Sequence, residues 1–86
     1  MLTIKHVQED GSEEIVPVVG DVSIGRQGDG FYEEEIKRQA QCGLEASGCR
    51  AVIFHEHPDG SYRRRFLYEK DRSYVMNANG KTIATV

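Results

Sequence analysis

Four side chains in this chain have the chemistry to hold a soft metal ion: Cys42, Cys49, His55 and His57. Their spacing is C-x6-C-x5-H-x-H. Structural zinc sites use shorter clips, because two ligands from one tight turn must converge on a single ion. The two cysteines are too far apart for such a clip. His55 and His57 share one side of a strand, since alternate residues point the same way. The reading is two surface histidines at a strand end, two ordinary cysteines and no metal or cofactor. The same residues do not make a nucleophilic pair. No elbow motif, oxyanion loop or orienting third residue accompanies them, so the chain reads as a non-enzyme.

Two charged clusters remain. Arg63-Arg64-Arg65 is the basic one, with Tyr62, Phe66 and Tyr68 interleaved. Along a strand it splits, placing Arg64 with the aromatics and Arg63 with Arg65 on the opposite face. Aromatics beside arginine on a sheet suit base stacking. The competing reading is aromatics in the core and arginines at a solvated edge, where charge discourages aggregation. The acidic cluster is Glu33-Glu34-Glu35. It reads as a solvated helix face that suits a protein partner. The glycines Gly25, Gly28 and Gly30 precede that helix, a place where phosphates bind. Their order is wrong for a dinucleotide fingerprint, and Asp29 and the glutamates would repel a phosphate.

These residues need elements to position them. Leu2 to Val7 alternates as a strand, and Asp10-Gly11 turns the chain into a return strand, Ile15 to Val19. Pro17 lacks an N–H and marks that strand as an edge or a bulge. Val22 to Ile24 extends it beyond a kink at Gly20. Asp29 caps a helix lined by Tyr32, Ile36, Ala40 and Leu44, which ends at Ser47-Gly48. Glu33–Lys37 and Glu34–Arg38 are spaced to pair along it. Ala51 to Phe54 is continuously apolar, a strand covered on both faces. Pro58-Asp59-Gly60 and Asn79-Gly80 turn two further hairpins. The order is ββαββββ: an α+β domain with an antiparallel sheet and one helix packed on one face.

Composition agrees with one small domain. The chain has 86 residues, 38% hydrophobic and 29% charged, with a net charge of −3. A negative chain is a poor generic binder of nucleic acid. No leader pattern or membrane-length apolar run is visible, so the expected location is the cytoplasm with reduced thiols.

The tail, Arg72-Ser73-Tyr74-Val75-Met76-Asn77-Ala78-Asn79-Gly80-Lys81-Thr82-Ile83-Ala84, and the opening Met1 to Val7 carry a resemblance. Together they resemble a group of small, mostly uncharacterised bacteriophage and prophage proteins that end in a YVMNxxGKT phrase. Physically the phrase is a strand, an Asn-Gly turn and a strand. The resemblance implies a non-enzymatic accessory factor that binds a host protein or a defence complex of the CRISPR–Cas type. The expected partner-binding residues are Glu33, Glu34, Glu35, Tyr62, Arg63, Arg64 and Arg65. The alternatives are a nucleic-acid-binding module built on Arg63 to Arg65, and a structural component that pairs with itself through the Ile15–Val19 edge.

Overall fold

The computed structural model describes residues 1–43 and 48–86, so the expected Leu44 contact and the Ser47 stop lie outside the described residues. The architecture is α+β, as the sequence predicts. Seven strands and one helix follow in the order β1 (Thr3–Val7), β2 (Glu13–Pro17), β3 (Val19–Arg26), α1 (Gly30–Gln41), β4 (Ala51–Glu56), β5 (Tyr62–Leu67), β6 (Arg72–Met76) and β7 (Thr82–Thr85). All pairings are antiparallel. The strands divide between two sheets, β2-β1-β6-β7 and β3-β4-β5.

That division is the main departure from a single meander. The segment read as one kinked return strand is two strands in different sheets. The chain crosses between them at Val18, which is fully buried and whose N–H donates to the Leu2 carbonyl at 3.0 Å. Gly20, at φ +72°, lies in the irregular stretch where β3 joins β4. β2 is an edge strand, as Pro17 predicts.

The two sheets face each other across the main core of Ile4, Val18, Ala51, Ile53, Leu67, Val75 and Val86. A second cluster lies on the other face of the three-stranded sheet, where Val52, Cys49 and Phe66 meet Tyr32, Phe31 and Ile36. Strand β4 is therefore the middle of three layers. Its unbroken apolar run reflects cover on both faces.

The hairpin turns share one geometry, the type I turn that Pro58-Asp59-Gly60 predicts, in place of the type I′ turn expected at Asp10-Gly11. The N–H of Gly11, Gly60 and Gly80 donates to the carbonyl three residues earlier, at 2.9, 2.8 and 3.0 Å. Positive φ occurs only at glycines among the described residues. Type I′ would require it at the preceding Asp or Asn as well. These are type I turns followed by a left-handed glycine.

Asp29 caps α1, its carboxylate accepting the N–H groups of Tyr32 and Arg26, each at 2.8 Å. The helix stops earlier than expected, at left-handed Gly43 rather than Gly48. Its inward face is Tyr32, Glu35, Ile36 and Gln39, with Ala40 exposed. A row of every fourth residue advances about 40° per step around the axis, so Ala40 has rotated off the face. Gly25 lets the helix approach β3: a Cβ there would lie 2.7 Å from Phe31 Cδ1 and 2.9 Å from the Tyr32 nitrogen.

Candidate functional site

Strand β5 divides its side chains between two surroundings, as the alternation predicts. Tyr62, Arg64 and Phe66 face the helix layer. Arg63, Arg65 and Leu67 face the other sheet.

On the helix side, an aromatic row crosses the sheet. The Phe54 ring stacks on Tyr62, with centroids 5.5 Å apart and planes 4° from parallel. Phe31, at the helix start, meets Phe54 edge-on at 6.4 Å. The Arg64 guanidinium lies 5.0 Å from the Phe54 centroid. Tyr62 is 62% exposed and belongs to an edge strand. The row thus runs from a half-buried ring under the helix to an open ring at the sheet edge.

The acidic cluster does not form one solvated patch. Glu33 and Glu34 are exposed, and Glu34 accepts from Arg38 Nη2 at 2.9 Å. Among the described residues, Glu33 and Lys37 do not form the expected ion pair. Glu35 is only 3% exposed. It accepts from Arg64 Nε, and Arg38 Nη1 lies 3.6 Å from its other oxygen. Glu35 ties the helix to β5, because a carboxylate this buried requires cationic partners. The arginines are likewise committed. Arg63 pairs with Asp59 at 3.1 Å, and Arg65 reaches across to Glu14 on β2. Asp59 accepts from Ser61 and lies beside His57 and Arg63, which hold its carboxyl well below the ordinary carboxylate range.

Between the sheets lies a polar end of the interior. A cavity of about 150 Å³ is lined by His6, Glu14, Val16, His55, Arg63, Arg64 and Arg65. His6 and His55 are 3% and 5% exposed, which corrects the reading of His55 as a surface residue. His6 Nδ1 is hydrogen-bonded to Ser73 Oγ at 2.6 Å. Burial, together with nearby Arg65 and His55, pushes its pKa down to about 4. His55 Nδ1 is buried and has no hydrogen-bond partner among the described residues. The signal for both was phase. His6 alternates with Ile4, and His55 with Ala51 and Ile53, so each points where the core residues point.

The cysteines stay apart in role. Cys42 is exposed and Cys49 is buried. Burial pushes the Cys49 thiol up, and it donates to the Ala51 carbonyl. The Tyr32 hydroxyl donates to the Cys49 carbonyl at 2.6 Å, anchoring the helix to the start of β4. Among the described residues, no group of three or more His, Cys, Asp or Glu side chains is placed to hold a metal. No helix among them is long and apolar enough to cross a membrane.

The sequence places Tyr62 and Arg64 on one face of a strand but does not show Phe31 and Phe54 beside them, because that contact joins three separate elements. In comparisons with protein families, curated proteins and solved structures, the chain matches none.

Proposed function

We propose that the chain is a non-enzymatic protein-binding module that docks through the β5 edge and the aromatic row beside it. The observation carrying this reading is the stacked Phe54–Tyr62 pair, with Tyr62 open to solvent and the Arg64 guanidinium against the Phe54 ring. Tyrosine and arginine are the residues that interfaces concentrate at their energetic centres. A stacked tyrosine loses little conformational freedom on binding, so its contact area converts efficiently to affinity. The exposed Glu33 and Glu34 lie on the helix that covers the same sheet and supply an acidic flank. The phage-like opening and tail favour a host protein or a defence complex as the partner.

The nucleic-acid alternative draws on the same rings and on Arg64. It is the weaker reading because Arg63, Arg64 and Arg65 each already hold a carboxylate, leaving little uncompensated positive charge for phosphates. A gel shift at low salt separates the two, since nucleic-acid binding would be strong there and fall steeply as salt rises. The direct test is capture from bacterial lysates with the tagged chain and its Tyr62→Ala variant. The expected result is one stoichiometric protein partner held by the parent chain and lost by the variant. Equal recovery by both, or recovery of none across several hosts, would contradict the proposal.

A further inference from the structure

We infer that the polar cavity between the two sheets is a binding site for a small oxyanion of phosphate or carboxylate size, with Glu14 as its displaceable internal stand-in. Four observations converge. The cavity is walled by Arg63 and Arg65 from β5, His55 from β4, His6 from β1 and the apolar Val16 from β2; Arg63 is held by Asp59, so Arg65 and the two imidazoles are the donors that an anion would meet. His55 is almost fully buried, yet its Nδ1 has no hydrogen-bond partner among the described residues, and such an atom is costly unless something meets it. The Arg65 guanidinium is already held by a carboxylate, that of Glu14, whose side chain is 56% exposed and free to swing outward. The volume, about 150 Å³, equals about five liquid-water shares and suits one phosphate or acetate but not a nucleotide.

The electrostatics support this. Arg65 and His55 help hold His6 neutral, which marks the cavity as positive in potential. An anion entering it would oppose the charge effects of Arg65 and His55 and raise the His6 pKa. Every charged or titratable group facing His6 enters the balance: Glu14 from β2, His55 from β4, and Arg63 and Arg65 from β5. Removing the Glu14 charge removes the internal competitor.

The test uses the three imidazoles as reporters in a two-dimensional NMR titration of the intact chain, with inorganic phosphate and, separately, acetate. Sodium chloride holds ionic strength constant. His6 and His55 are expected to shift together and saturate, while His57, outside the cavity and linked to it only through Asp59 and Arg63, moves much less. Glu14→Gln should lower the half-saturation concentration by about threefold or more, and Arg65→Gln should raise it by about tenfold, in line with losing one charge-assisted contact. Saturation by phosphate alone identifies a tetrahedral ligand, and saturation by both identifies a general oxyanion site. No saturable shift of His6 and His55 in either the parent chain or Glu14→Gln would overturn the assignment. Parallel movement of His57 would overturn it as well. Glu14 lies on the surface, so that variant keeps its fold and the result stays readable.

Discussion

His6 shows how a single residue's surroundings become a measurable property of the molecule. Its folded pKa is about 4 against an ordinary 6.5, so the unfolded chain takes up the proton first as pH falls. The stability that depends on neutral His6 is present above pH 6.5 and is lost progressively as pH falls toward 4. Between pH 7 and pH 5 the loss is about 2 kcal/mol. Urea denaturation at those two pH values measures it in the parent chain. His6→Gln should flatten the dependence across this window, which lies above the range where ordinary carboxylates titrate. Glu35 offers a second residue-scale test. Arg64→Met leaves its buried carboxylate with only Arg38 nearby. The expected cost is about 2 kcal/mol, below that of a fully buried pair because Arg64 is itself about one-third exposed. Chemical denaturation of the variant gives the value.

At the scale of the element, the helix is held by its start. Asp29 accepts two backbone N–H groups there, so Asp29→Ala should lower the melting temperature. Gly25→Ala should cost about 1–3 kcal/mol, because its methyl group would meet both Phe31 and the helix backbone. Thermal melts of the two variants check both, and amide exchange should show α1 loosening more than β1. This junction also shows what local sequence conveys. Asp29 as a cap was legible from its type and place. The role of Gly25 was not, because it depends on how closely a helix approaches a strand. The three hairpins were legible from their Asp-Gly and Asn-Gly pairs, and Pro58 marked its turn as type I, but the type at Asp10-Gly11 was not legible, since that pair serves more than one turn.

Across the whole molecule, the strands divide between two sheets because the chain crosses over at Val18 and again after Leu67. Nothing local marks those crossings. Each is a choice about which strand pairs with which, and the core pattern of alternate residues is the same in one sheet as in two. The same blindness hid the cavity, whose walls come from β1, β2, β4 and β5. Its histidines were readable in phase but not in company. The free outer edge of β2 carries Glu13, Glu14 and Pro17, features that oppose strand-to-strand pairing. Light scattering at high concentration should therefore report a monomer.

The central claim is that β5 and the aromatic row beside it form the docking surface. Amide hydrogen exchange compares the free chain with the same chain captured on its lysate partner, and reads that surface directly. The account predicts slowed exchange over β5 and the start of α1, with β2 and β7 unchanged. Protection confined to β2 and β7, with β5 exchanging as in the free chain, would contradict it.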